Sequence, residues 1–246
     1  MAYQLEICAN SIASAIAAKN GGADRIELCD NITEDGTTPS AGQIKWCVEN
    51  LDIEIWPLIR PRGGNFIYTA EEFETILLDI QFCKQIGCDG IVTGILDINN
   101  EIDLDRCSQI ISAAYPMPVA FHRAIDTTND LAKSLEKIIE LGFVRVLTSG
   151  GENNAYTGRS VIAELIKQAK SRIEVMPGAG INEKNIHEIA KTTQAKCFHT
   201  TAKEEVTQVK VNAKSKFSVS NSPLTDRIYQ TNSDKVKLLK DIIKNL

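Results

Sequence analysis

Two hydrophobic rhythms alternate along the whole chain. Short β-branched and aliphatic runs recur at Tyr3–Cys8, Asp24–Leu28, Ile53–Arg60, Gly90–Thr93, Pro118–Phe121, Val144–Leu147, Ile173–Met176 and Lys196–His199. Between them lie segments with apolar residues at helical spacing, at Ser11–Asn20, Ser40–Asn50, Ala70–Ile86, Leu104–Ala114, Leu131–Leu141, Ser160–Lys170 and Glu183–Thr192, and a last one closes the chain at Ser233–Leu246. Short buried runs bounded by turn residues read as strands, and apolar stripes at a period of about 3.6 read as amphipathic helices. The borders carry matching chemistry. Asn10–Ser11, Thr69, Asp103, Asn129–Asp130 and Asn182 stand where helices need an N-cap, and Gly21–Gly22, Gly87 and Gly142 stand where they end. Three joints, GGADRIEL, GCDGIVTG and GFVRVLTSG, share one design in which glycine stops a helix and a buried strand begins within a few residues.

Consecutive βα units with no break in composition predict an α/β chain closed into a (β/α)8 TIM barrel, one domain over 1–246, rather than an open doubly wound sheet. One departure is expected after the eighth strand. Residues 203–231 form a polar insert before the closing helix at 232–246, and the alternation at Val209, Val211, Phe217 and Val219 predicts a hairpin or extended flap.

Composition narrows the function. The 246 residues are 43% hydrophobic and 24% charged, which is ordinary globular usage. A net charge of −5 argues against a nucleic-acid-binding surface. No apolar window spans a bilayer and the N-terminus MAYQLEICANS lacks the features of a signal peptide, so a soluble cytoplasmic protein is expected. Seven cysteines without a C-x-x-C fit reduced thiols better than a disulfide framework or a zinc knuckle.

In barrels of this kind the C-terminal strand ends carry function. Here they collect Glu6 and Cys8, Glu27 and Cys29, Arg60 and Arg62, Thr93, His122, Arg123 and Asp126, Thr148 and Ser149, Gly178 to Gly180, and His199 to Thr201. A polar pocket at one mouth is expected. Glu6, Glu27, His122, Asp126 and His199 are its candidate acid–base groups. Arg60, Arg62, Arg123, Ser149, Gly178 and Gly180 are its candidate anion binders, with the glycine loop before a helix offering backbone N–H groups. Tyr68, beyond the Gly63–Gly64 pair, is a further candidate ligand contact. Strand alternation puts Cys8 and Cys29 on one side of neighbouring strands, where two soft thiolates would suit linear Cu(I); two ordinary buried cysteines are the alternative. With no H-x-H pair and no visible carboxylate–histidine metal triad, a hard-metal hydrolase has little support. With no lysine at a strand end, Lys203 being nearest, Schiff-base chemistry is disfavoured. His187 falls within a helix and reads as a surface or packing residue.

Several stretches together resemble the CutC family of copper homeostasis proteins: IELC at 26–29, TPS at 38–40, IRPRGG at 59–64, VTG at 92–94, FHRAID at 121–126, VLTSG at 146–150 and GAG at 178–180. They run in collinear order from about residue 5 to residue 200. The resemblance implies a cytoplasmic TIM barrel, often a homodimer, that handles copper, with Cys8 and Cys29 as the metal ligands. It also implies a polar pocket built from Glu6, Glu27, Arg60, Arg62, His122, Arg123, Asp126 and His199. Two functions follow as expectations: a Cu(I)-binding homeostasis protein with His122 or His199 as auxiliary ligands, or a barrel enzyme acting on a small anionic, perhaps phosphorylated, metabolite.

Overall fold

A computed structural model describes residues 3–206 and 228–246. Eight parallel strands, β1 Gln4–Ala9, β2 Arg25–Leu28, β3 Glu54–Pro57, β4 Ile91–Thr93, β5 Val119–Phe121, β6 Arg145–Thr148, β7 Glu174–Pro177 and β8 Cys197–Thr200, form the barrel wall. The outer helices are α1 Ile12–Asn20, α2 Ala41–Asn50, α3 Ala70–Ile86, α4 Leu104–Ala114, α5 Leu131–Leu141, α6 Arg159–Ala169, α7 Ile186–Thr193 and α8 Ser233–Lys244. Two parallel arcs, β3-β2-β1-β8 and β4-β5-β6-β7, make up the wall. One join is the bridge between Leu58 and Val92, where the Ile59 N–H donates to the Val92 carbonyl at 2.7 Å. The other brings β7 against β8 through side chains: the Cys197 thiol donates to the Met176 sulfur at 3.3 Å. Gly178 has no side chain there because a Cβ would lie 2.4 Å from Leu147 and 3.3 Å from the His199 Cβ. The closed (β/α)8 architecture expected from the alternation is the one observed.

Period-two alternation sorts the strand residues into two cores. Outward residues such as Leu5, Ile7, Ile26, Leu28, Ile55, Val119, Phe121, Val146 and Phe198 pack beneath the helices. Inward residues fill the barrel itself: Cys8, Cys29, Trp56, Leu58, Val92 and Ala120 on one side, Leu147, Met176 and Cys197 on the other. The local signals act where the sequence places them. Thr69 and Glu72 close a capping box on α3, Ser11, Asp103 and Asp130 cap α1, α4 and α5, and Gly87 and Gly142 end α3 and α5 in the left-handed region. Asn182 caps the turn that leads into α7: its Oδ1 accepts from the Lys184 N–H at 3.0 Å and its carbonyl from the Ile186 N–H at 3.0 Å. An exchange of bonds between Asn182 and Asn185, whose Oδ1 accepts from the Asn182 N–H at 2.9 Å, delays α7 to Ile186.

The lower barrel holds charge rather than hydrocarbon. Glu6, on β1, accepts from Arg25 Nε at 2.5 Å and faces Arg145 Nη1 at 3.7 Å; Arg145 in turn bonds Glu174 at 2.5 Å. Both guanidiniums lie over the Trp56 ring, at 5.4 and 4.5 Å from its centre. Beyond β8 the chain forms an antiparallel pair, β9 Lys203–Val206 with β10 Ile228–Thr231. This pair lies on the N-terminal end of α1, where the Thr231 N–H donates to Ser14 Oγ at 3.1 Å. The alternation at Val209, Val211, Phe217 and Val219 lies outside the described residues. Among the described residues no helix is long and apolar enough to cross a membrane.

Candidate functional site

The ends of seven strands, all but β4, line a cavity of about 420 Å³ at the C-terminal mouth of the barrel. Cys8, Glu27 and His199 form one wall, Arg60, His122, Arg123 and Asp126 another, and Gly180, Thr200 and Lys203 part of the rim.

Register builds the first wall. Glu6 pairs opposite His199 across β1 and β8, and Cys8 pairs opposite Glu27 across β1 and β2. His199 Nδ1 lies 2.8 Å from Glu6 Oε1 and its Nε2 lies 3.6 Å from Glu27. Burial works against the imidazolium, but Glu27, Cys8 and Glu6 outweigh it and hold the His199 pKa well above its ordinary value. Burial alone would raise the pKa of Glu6; the bond from His199 and the charges of Arg25 and Arg145 reverse this and keep it far below the usual carboxylate range. Among the described residues Glu27 has no guanidinium at bonding distance, and burial lifts its pKa despite the facing imidazole. Cys8 and Cys29 approach to 3.2 Å between sulfurs. That contact, together with burial, pushes the Cys8 thiol well above its ordinary pKa.

The second wall depends on a turn. His122 is the N-cap of a 3-10 turn at Arg123–Thr127, and its Nδ1 accepts from the Ala124 N–H at 3.2 Å. The ring proton therefore sits on Nε2, which is buried and has no partner among the described residues. Burial, then the charge of Arg60, lowers the His122 pKa to about 3, so the ring is neutral. Phe66 covers both His122 and Arg60, its ring centre 4.8 Å from the imidazole and 5.1 Å from the guanidinium carbon.

Several predicted site residues take other tasks. Asp126 lines the cavity, yet its carboxylate accepts from Thr148, from the Ser149 and Gly151 N–H groups, and from Arg123 at 2.9 Å. Those bonds occupy its lone pairs and make it an anchor for the loop after β6. Ser149 is buried in the same network, donating to Asp126 and accepting from Arg123 at 3.0 Å. Arg60 reaches the cavity but commits its terminal nitrogens to the carbonyls of Glu34, Gly36 and Gly64, leaving Nε without a partner. Arg62 does not line the cavity: Glu72 holds it at 2.6 Å, and the carbonyls of Gly63, Asn65 and Ile67 complete its bonds. Tyr68 is buried beneath Arg62 and does not face the cavity either. Gly180, at φ +71°, lines the cavity, whereas Gly178 makes room for His199. His187 is exposed on α7.

Two features escape a linear reading. Arg25 and Arg145 stand at strand starts, the opposite end from the expected function, yet they neutralise Glu6. The signal was their i, i+2 relation to Glu27 and Leu147, which puts them on the inward face. No carboxylate–histidine metal triad is visible along the sequence, yet the fold brings ligand atoms of Cys8, Glu27 and His199 within 4.8 Å of one another. They are distant in sequence and meet only because β8 closes against β1.

The CutC family model matches residues 3–204. A CutC family protein from Parabacteroides distasonis is 42% identical over 243 residues, covering 98% of this chain and 97% of that protein. The human copper homeostasis protein cutC homolog is 43% identical over 201 residues, covering 82% of this chain and 74% of its own length. A crystal structure of a Streptococcus agalactiae protein described as a copper homeostasis protein CutC superposes with a TM-score of 0.78 at 35% identity, over 81% of this chain and 98% of that one.

Proposed function

Since this chain belongs to the CutC family, we propose that it handles copper as cargo, holding Cu(I) between Cys8 and Cys29 at the mouth of the barrel. The observation that carries this reading is the sulfur pair at 3.2 Å, in which Cys8 borders the cavity and Cys29 is fully buried behind it. Two soft thiolates suffice for linear Cu(I), and Trp56, Leu58, Val92 and Ala120 give the pair an apolar flank. A linear S–Cu–S unit holds its sulfurs on opposite sides of the ion, farther apart than the present 3.2 Å, so the pair opens to admit it. Seven free thiols fit a reducing, cytoplasmic location. The reading includes a homodimer, which sedimentation would report as twice the chain mass. Anaerobic titration with Cu(I) against a competing chelator should show one tight site per chain, lost in the Cys8→Ser plus Cys29→Ser protein. Unchanged affinity in that variant removes both residues as ligands.

A second reading, an enzyme acting on a small anionic metabolite by acid–base chemistry, is favoured by the opposite wall. Arg60 Nε and His122 Nε2 are buried donors without partners, and buried donors are ordinarily satisfied. Glu27, His199 and His122 are its acid–base groups, with Arg60 and Arg123 holding the anion. A panel of sugar phosphates and small carboxylates should include one that raises the melting temperature by about 5 °C or more at a hundredfold excess over its Kd. A flat response across the panel defeats this reading and leaves the copper titration untouched.

A further inference from the structure

The cluster at Cys8, Glu27 and His199 has a construction that the sulfur pair does not use. Its three ligand atoms are a sulfur, an oxygen and a nitrogen, all on buried side chains and all within 4.8 Å of one another. They project from β1, β2 and β8, which are adjacent in the wall, so rigid strands rather than loops set their spacing. His199 is fixed from behind: Nδ1 is bonded to Glu6 at 2.8 Å, which turns Nε2 toward Glu27. A carboxylate behind an imidazole is the usual device for orienting a metal-bound histidine. Glu6 is itself anchored, its other oxygen held by Arg25 at 2.5 Å, so it is not available as a ligand. All three cluster residues border the cavity.

We propose that Cys8, Glu27 and His199 form a site for a borderline divalent cation of the zinc class, with a fourth position open to the cavity. Magnesium and calcium call for oxygen donors throughout, and Cu(I) is served by thiolates alone; a mixed thiolate, imidazole and carboxylate set is the choice of zinc. Tetrahedral coordination with bonds of about 2.0–2.3 Å separates ligand atoms by roughly 3.3–3.8 Å, so the cluster needs to contract by about 1.5 Å at most. Three protein ligands with an open position define a reactive rather than a structural zinc site. Arg60, Arg123 and the Nε2–H of His122 stand on the other wall of the same cavity, which makes a small anion the natural fourth ligand. The proposal does not rest on the copper reading: it shares Cys8 but gives Cys29 no part.

The test uses the full-length, reduced, metal-free chain titrated anaerobically with Co(II) and, by chelator competition, with Zn(II). One equivalent should bind, with a thiolate-to-cobalt charge-transfer band that disappears in Cys8→Ser. The isosteric Glu27→Gln, and His199→Gln, which removes the imidazole, should each weaken Zn(II) binding by about 10–100-fold or more, judged against the range known for metal-site partners. Cys29→Ser should leave Zn(II) affinity essentially unchanged while abolishing Cu(I) binding, and Glu27→Gln should do the reverse. Absence of one equivalent of bound cobalt, or a Zn(II) affinity that falls with Cys29→Ser as much as with Glu27→Gln, overturns the proposal. Cu(I) results read separately decide the sulfur-pair site, so either can fail alone.

Discussion

Replacing Arg25 with Met is expected to lower the unfolding free energy by about 3–5 kcal/mol, the cost typical of breaking a buried ion pair by deleting one partner. The reason is the charge left behind. Glu6 is 1% exposed, and Arg25 supplies its shortest bond, 2.5 Å. Arg145 and His199 remain, but the nearest Arg145 nitrogen is 3.7 Å away with its Nε committed to Glu174, and His199, 2.8 Å from Glu6, also faces Glu27. In a chain of this size the loss corresponds to a fall in melting temperature of roughly 6–20 °C. The double variant Arg25→Met plus Glu6→Gln should lose less than the sum of its parts, by at least ~1 kcal/mol, because removing both charges leaves no uncompensated ion. Urea unfolding at pH 7 measures all three proteins. An Arg25→Met protein within about 1 kcal/mol of wild type would mean that the network does not hold Glu6 ionised.

The second large effect depends on pH, through His122. Its folded pKa is pushed down to about 3, chiefly by burial, against an unfolded value of about 6.5. The unfolded chain therefore binds a proton over a range where the folded chain refuses it. Stability from this site is complete above about pH 6.5 and drains away as pH falls toward 3, by up to about 5 kcal/mol. His199 has the opposite sign: its raised pKa makes its contribution complete below about pH 6.5 and lost as pH rises through the folded value. Glu6, with its lowered pKa, contributes above about pH 4.3 and loses that contribution as pH falls through its folded value. Subtracting a His122→Asn protein, whose amide oxygen can still accept from the Ala124 N–H, isolates the His122 limb. Stability curves for the two proteins should diverge below pH 6.5, and parallel curves would refute the assignment. Proton NMR gives a direct check, with the His122 ring resonances flat through the range where an ordinary histidine titrates.

Much of this molecule was legible in one dimension. Strand and helix positions follow from residue periodicity, and most helix ends follow from Ser11, Thr69, Asp103, Asp130, Gly87 and Gly142, because capping and left-handed turns are local physics. The inward placement of Glu6, Cys8, Glu27 and Cys29 was likewise readable, since alternation along a strand requires no knowledge of its neighbours. The sulfur pair is one product of that alternation.

Partner choice was not legible. Arg60 and Arg62 look equivalent in IRPRGG, and alternation would put both on one face, but the strand has ended at Pro57: Arg60 reaches the cavity while Glu72, at the start of α3, captures Arg62. Asp126 reads as a free carboxylate until the loop after β6 folds back and occupies it. Sequence by itself determined the repeating units, their borders, the inward-facing residues and hence the barrel, because each depends on forces acting within a few residues. Closure of β8 on β1 decided the rest: it set Glu6 against His199 across 193 positions of chain, buried the pair away from water, and so fixed which groups are charged, which are neutral and which can meet around a metal.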